Sequence, residues 1–302
     1  MKKLSTVFFA VIAALQLYGY NYFIASGDYR IMISEKYCHT IREIVWKNFK
    51  IGTPSGFYGA IFLPARGKYI GAGHTQGGAE KVLSFKVICD GKKIHPRPQK
   101  TIKGKKITVD KISRFDNLIF SVRLELSPAG LVETKRFTAV ADQTVHSYYA
   151  HIFCFNKSFT DYYALTASGE ILKGKFTLPK LKKLPKEPEK RKLVKKAWHI
   201  NTSVKYISEY DAAAKKGVLL YYPEIIPGKG RKSAIWEVPY AYMKYYMITD
   251  IPDFVPANWE SPVYTVILRG FETNSVENIP QIIQKEVDSA AKIKFSPVAK
   301  PE

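Results

Sequence analysis

A few side chains in this sequence have both the chemistry and the surroundings to act on a ligand. His74 stands in a glycine-dense run, Gly71-Ala72-Gly73-His74-Thr75-Gln76-Gly77-Gly78-Ala79-Glu80. Glycine lets backbone follow irregular paths and approach closely, so a shaped loop presents this histidine into a cleft as a general acid or a hydroxyl binder. Glu80 closes the same loop and is expected to hold substrate. Glu237 lies in Ile235-Trp236-Glu237-Val238-Pro239. A carboxylate at an aromatic strand end suits a general base, and Trp236 suits a sugar platform. His146 and His151 sit five residues apart in one extended run, so they face opposite sides and at most one lines a given face. His146 is the second candidate for the acid, and His151 a candidate for substrate binding. Arg136 completes the expected binding set, although with Glu133 and Lys135 it also reads as the polar face of a strand. Each residue has a plainer reading as well: a loop histidine bonded to backbone, a strand histidine in the core, an outward-facing strand glutamate.

The elements that would position these groups are strands. Leu118, Phe120, Val122, Leu124 and Leu126 alternate with Ser121, Arg123, Glu125 and Ser127, a period of two that marks one buried face. Ser127-Pro128-Ala129-Gly130 breaks the run, residues 131–140 resume it, Ala141-Asp142-Gln143 breaks it again, and 144–155 form a third run. The three together predict an antiparallel meander, and a sheet this broad needs a second sheet over its apolar face. Further strands are expected at 29–46 (one or a pair), 57–63, 82–89, 101–109, 170–177, 197–210, 217–222, 233–238, 240–248 and 264–269, with an Asp90-Gly91 hairpin turn. Residues 178–196 hold Pro179, Pro185 and Pro188 among lysines, which predicts a solvated surface loop. Residues 277–291 have helical spacing, with Asn274 or Ser275 as cap. The fold class is therefore all-β, mainly antiparallel, with a short C-terminal helix.

Length and composition bound the rest. The chain has 302 residues, 46 % hydrophobic and 14 % aromatic, with 20 Tyr and 17 Phe, enough for a large core. The formal charge of +21 favours acidic partners such as acidic polysaccharide. No helix-turn-helix, zinc-finger or RNA-recognition pattern accompanies the lysine runs at 92–106 and 180–196, so no nucleic acid is expected. Lys2 and Lys3 precede a run from 4 to 27 with no charge. That reads as a secretory signal over 1–27, cut before Asp28 or alternatively after Gly19, or else as an uncleaved membrane anchor through 4–27. Residues 28–302 then form one domain, expected as a secreted or periplasmic monomer. Cys38, Cys89 and Cys154 are odd in number and fall in strand-like contexts, which predicts mostly buried thiols and at most one disulfide. No metal-ligand spacing, P-loop, Gly-x-Ser-x-Gly or dinucleotide fingerprint is present, so neither metal nor cofactor is expected.

The order of these pieces resembles a known family. The pieces are the Gly71–Gly78 loop, the strand and Asp90-Gly91 hairpin after it, Ser127-Pro128-Ala129-Gly130-Leu131-Val132-Glu133-Thr134-Lys135-Arg136-Phe137, Gly217-Val218-Leu219-Leu220-Tyr221-Tyr222-Pro223, and Trp236-Glu237-Val238-Pro239. Over residues 30–270 this is similar in pattern to a secreted branch of the galactose mutarotase-like superfamily. The resemblance implies a β-supersandwich with a concave carbohydrate-binding face. It also implies a histidine acid and a glutamate base in members that are epimerases, with His74 or His146 and Glu237 the nearest matches. The paired histidine motif ending in Tyr-Phe-Asn is missing. The function expected is thus carbohydrate binding or processing, with a non-catalytic module for acidic polysaccharide, or a membrane-anchored envelope protein, as the alternatives.

Overall fold

The computed structural model describes residues 19–54, 59–64, 69–73, 80–182, 185–187, 189–190, 194–224, 232–249 and 253–298. Two sheets pack face to face around one apolar core. The first has twelve strands. Its main path runs from the edge strand Ala197–Thr202 through Lys232–Val238, Tyr242–Thr249, Gln143–Asn156, Phe49–Gly52, Thr40–Trp46, Tyr29–Ser34 and Asn21–Ser26 to Thr101–Lys103. Gly59–Pro64 and Phe254–Val255 also pair with Gln143–Asn156, and Ile70–Gly71 pairs with Gly59–Pro64. The second sheet has ten strands in the order Ile171–Lys175, Asp161–Thr166, Val204–Asp211, Lys216–Tyr221, Tyr264–Glu272, Gly130–Ala139, Leu118–Ser127, Ile107–Phe115, Lys81–Cys89 and Lys92–Ile94. Pairing is antiparallel except where Asn21–Ser26 runs parallel to Thr101–Lys103. The all-β, mainly antiparallel architecture with a C-terminal helix is the one the alternation predicts.

The alternation is realised in the packing. Leu118, Phe120, Val122, Leu124 and Leu126 all enter the core, and Phe137 stacks on Phe120 while meeting Tyr148 of the opposite sheet edge-on at 4.5 Å. Rings in these arrangements add roughly 0.5–1.5 kcal/mol each beyond their buried area. Asp90 and Gly91 both take left-handed backbone, φ 48° and 81°, as a two-residue type I′ hairpin requires. Gly270 is needed for a different reason: a Cβ there would lie 2.3 Å from the Trp46 indole of the facing sheet. The helix, Ile279–Ala291, covers the outer face of the ten-stranded sheet, with Ile279 and Ile283 against Tyr206, Tyr210, Leu219 and Phe271. It starts at Asn278 without a side-chain cap, while the Ser275 hydroxyl accepts Glu277 N–H just before it.

Three expectations change. The predicted meander is broken: Leu118–Ser127 and Gly130–Ala139 pair, but Gln143–Asn156 crosses to the other sheet. Tyr264–Glu272 occupies the free edge of Gly130–Ala139 instead. A short turn fixes chain reversal but not which sheet receives the next strand. The run 101–109 likewise divides between the sheets, with Gly104 N–H on Ala25 O and the Asp90 carboxylate taking the amides of Lys105 and Lys106 at the switch. The run 197–210 divides at Ser203 into strands of opposite sheets.

At the N-terminus, Asn21–Ser26 forms a hairpin with Tyr29–Ser34, and Tyr22 and Ile24 are fully buried. A boundary at residue 27 falls inside this hairpin, and cleavage there would remove a core strand. Residues 1–18 lie outside the described residues, and no helix among the described residues is long and apolar enough to cross a membrane. All three cysteines are free thiols, with Cys154 buried and Cys38 and Cys89 half-buried.

Candidate functional site: an aromatic sheet face above buried charge

The outer face of the twelve-stranded sheet carries a strip of aromatic rings. Strand register builds it. Trp198 pairs with Trp236, Trp236 with Lys244, and Lys244 with Cys154, so these four side chains form one cross-strand row. The two indoles stack at 5.6 Å and 12°. Tyr246 lies 5.8 Å from Trp198 and 5.3 Å from Tyr149, and Tyr69 extends the strip at 6.1 Å from Tyr149. Trp198 is 60 % exposed and Tyr69 37 %, against a core in which most aromatic rings are fully covered. Two lysines are seated among the rings. Lys196 Nζ is 5.2 Å from the Trp236 ring, and Lys244 Nζ lies 5.6 Å from Tyr242 and 5.2 Å from Tyr246. Burial pushes the Lys244 ammonium below its usual range. Cation–π contact of this kind is worth about 0.5–2 kcal/mol and holds a positive charge against an apolar surface.

The same strands turn acidic and basic groups inward. On Gly130–Ala139, Leu131, Glu133, Lys135, Phe137 and Ala139 face the core, so the expected polar face made by Glu133 and Lys135 is in fact interior. Lys135 is fully buried, with Nζ 3.1 Å from Glu133 Oε2 and donating to Gly59 O at 3.0 Å. His151 Nδ1 meets the same Glu133 oxygen at 2.9 Å. A β-bulge between Tyr149 and His151 turns Tyr148 and His151 to the same interior side, which strict alternation would forbid. Burial, reinforced by Lys135, pushes the imidazole down to about 4, so it is neutral at pH 7. Burial alone would raise the Glu133 carboxyl, but Lys135 and His151 outweigh it and hold the group down at about 2. Next to them Glu80 Oε1 accepts from Lys111 Nζ at 2.6 Å and Ser113 Oγ at 2.5 Å, and Oε2 accepts Gly73 N–H. The cavity bounded by Lys111, Glu133, Lys135 and His39 measures about 20 Å³, room for one water molecule and not for a sugar.

A second interior cluster lies under the strip's far edge. Glu237 is fully buried, with Oε2 2.8 Å from His199 Nε2 and Oε1 accepting Leu178 N–H at 3.0 Å. Facing it from the ten-stranded sheet is Glu209, 1 % exposed, both carboxylate oxygens without a hydrogen-bond partner. Burial, with the neighbouring Glu237 charge, raises the Glu209 carboxyl well above its usual range. Lys180 is the nearby cation; it donates to the carbonyls of Ser158 and Phe159, and it is also influenced by Asp211 and Asp161.

Of the described residues singled out from the sequence, Glu80 and His151 lie in neighbouring interior clusters and the others do not meet. Trp236 faces outward on the aromatic strip, whereas its neighbour Glu237 faces inward. Glu80 is interior with both carboxylate oxygens bonded, and His151 is interior with its Nδ1 on Glu133. Arg136 lies on the outer face of the ten-stranded sheet, 3.6 Å from Glu260. His146 is exposed and is the extra residue of a bulge against Gly59–Pro64. Glu237 pairs in a row with Met243 and Phe155, nine residues along the strand from His146, a separation of about 30 Å. His74 lies outside the described residues. Among the described residues no cluster of histidine, cysteine and carboxylate side chains could hold a metal ion. Sequence reading passed over Trp198, His199, Tyr246, Tyr149, Tyr69 and Glu209. The available signal was the Trp198-His199 pair, which repeats the aromatic-then-titratable order of Trp236-Glu237.

No family profile matches the chain, and no curated protein matches it in sequence. Solved structures do align with it. A putative aldose 1-epimerase from Escherichia coli K12 is 10 % identical over 84 % of this chain and all of that one, with a TM-score of 0.45. A galactose mutarotase-like protein from Lactobacillus casei ATCC 334 is 8 % identical over 83 % of this chain and all of that one, with a TM-score of 0.47. A GH36 alpha-galactosidase from Geobacillus stearothermophilus is 7 % identical over 84 % of this chain but only 41 % of its own length, with a TM-score of 0.48. At these identities the likeness concerns the path of the chain and assigns no role to any residue.

Proposed function

We propose that this protein binds carbohydrate on the aromatic face of the twelve-stranded sheet, and that its ligand is an acidic polysaccharide. The observation that carries the reading is the exposed Trp198 stacked on Trp236 within a continuous strip of rings. Indole and phenol faces are large, rigid and amphipathic, and they cover the apolar face of a sugar ring at little entropic cost. Lys196, exposed and seated over the Trp236 ring, supplies the charge that a carboxylated or sulfated sugar needs, while Lys244 is buried beneath the rings. Binding rather than turnover is the reading favoured by the described residues, because Glu237 is buried on the face away from the strip and His146 stands about 30 Å from it along the strand direction.

Calorimetric titration with neutral and uronic-acid oligosaccharides of equal length tests it. Trp198→Ala should cost about 2 kcal/mol of binding, as for an anchoring aromatic, which is roughly thirty-fold in Kd. Acidic oligosaccharide should bind more tightly than neutral, with the advantage shrinking as salt rises. Unchanged affinity in Trp198→Ala sinks the assignment of the face. Equal affinity for neutral and acidic ligands removes the acidic part alone.

A further inference from the structure

The edge strand Ala197–Thr202 is held by less backbone than its exposed tryptophan would suggest. Among the described residues it is the last in its sheet and pairs on one side only, with Lys232–Val238. Its ladder is interrupted by a register shift between His199 and Asn201, and Ile200 takes left-handed backbone at φ 56°, costly for a β-branched residue. Side-chain contacts on both faces grip the strand. Outside, Trp198 stacks on Trp236. Inside, His199 bonds Glu237 at 2.8 Å. Consecutive residues of one strand thus clasp consecutive residues of the other. Glu237 is itself fixed by Leu178 N–H, is fully buried, and sits on the face of the sheet away from the aromatic strip, so no ligand on that strip reaches it.

We infer that Glu237 is a positioning residue for the aromatic face: through His199 it fixes the edge strand and thereby the ring of Trp198. The inference rests on the reading of that face as the ligand site. A strand with one hydrogen-bonded neighbour and a broken ladder has alternative placements close in energy. A bond from its middle residue to a carboxylate anchored elsewhere removes them. Two side chains of the sandwich end face this bond from outside the sheet. Tyr162 and Phe176 pack on the His199 ring at 5.3 and 5.5 Å. Glu209 faces Glu237 from the opposite sheet without donating to it.

The test compares Trp198→Ala, Glu237→Leu and Glu237→Gln. It follows uronic-acid oligosaccharide binding, thermal stability, and the near-ultraviolet circular dichroism of the stacked indole pair. Glu237→Leu should weaken binding by about tenfold or more and lose the indole-pair signal, as Trp198→Ala does. Glu237→Gln keeps an acceptor for Leu178 N–H and a partner for His199, so it should retain the signal and bind within about threefold of the parent. Should Glu237→Leu fail to fold, His199→Leu against His199→Gln makes the same comparison from the less deeply buried partner. A folded Glu237→Leu with full signal and full affinity, beside a Trp198→Ala that has lost binding, overturns the inference. If Trp198→Ala binds normally, it is the ligand reading that has failed. The indole-pair signal then decides the positioning alone: its loss in Glu237→Leu supports it, and its persistence overturns it.

Discussion

The interior of this sandwich holds two charged clusters of opposite character. In one, Glu133 has a fully buried lysine at 3.1 Å and a neutral histidine at 2.9 Å, so each buried charge has a partner. In the other, Glu237 and Glu209 face each other with one half-buried histidine between the sheets, and Glu209 has no hydrogen bond at all. The difference is one of compensation. Burying an ion costs several kcal/mol, and only a well-placed counter-charge repays it. The first cluster is compensated by ionisation, because Lys135 keeps Glu133 charged. The second is compensated by protonation, because Glu209 stays neutral beside Glu237. Each solution is sensitive to pH from its own side, and each fails differently when a member is removed.

The largest effect is expected where a charge would be left alone. Lys135→Met leaves the Glu133 carboxylate in the core with only a neutral imidazole beside it. The cost should be about 3–5 kcal/mol by urea unfolding, and the double change Glu133→Gln with Lys135→Met should recover most of it. A single mutant as stable as the parent would show that the pair is better hydrated than its burial implies.

The second effect is a pH slope. His151 is held down at about 4 from an ordinary 6.5, so it resists protonation in the folded state. Its contribution is complete above pH 6.5 and is lost as pH falls toward 4, because in that window the unfolded chain binds a proton that the folded chain does not. The loss should be on the order of 3 kcal/mol across the window. His151→Asn keeps a donor near Glu133 without titrating. It should be less stable than the parent at pH 7 but show a flattened slope from 6.5 to 4. An unchanged slope would move the acid sensitivity to another group.

How far these clusters were legible in the sequence differs by level. Period-two alternation located the strands and sent Leu118 through Leu126 to the core correctly, because that pattern depends only on the nearest two residues. Sheet membership was not legible. Nothing in 140–142 says that the chain crosses to the other sheet, and nothing at Ser203 says that one apolar run serves two sheets. Glu133 and Lys135 therefore read as a polar face, when their partner, His151, reaches them only through that crossover. Alternation did carry one warning, since Trp236 and Glu237 are adjacent and cannot line the same face. The bulge at Tyr149–His151 works the other way, since it breaks the alternation from which the histidine faces were read. The meeting of Trp198 with Trp236 needed a pairing between residues 38 positions apart, which no local pattern reports.

The smallest effect concerns the second cluster and has the opposite sign. Glu209 is raised above its ordinary 4.5, so the folded protein holds a proton that the unfolded chain releases. Its burial carries no penalty below about pH 4.5, where both states are protonated, and stability declines as pH rises from there toward the raised value. Glu209→Gln has the same shape and no charge to suppress. The variant and the parent should therefore be equally stable near pH 4 and diverge above it. By pH 8 the variant should lead by at least about 1–2 kcal/mol, since each pH unit over which only the fold keeps the proton costs about 1.4 kcal/mol, or a few degrees in Tm for a chain of this size. The gain is smaller than the Lys135 loss because neutralisation already spares the protein a buried charge, leaving only the cost of the proton taken up. If the two curves instead run parallel from pH 4 to 8, Glu209 is ionised in the fold, and the contrast between a charge-paired and a proton-paired cluster falls with it.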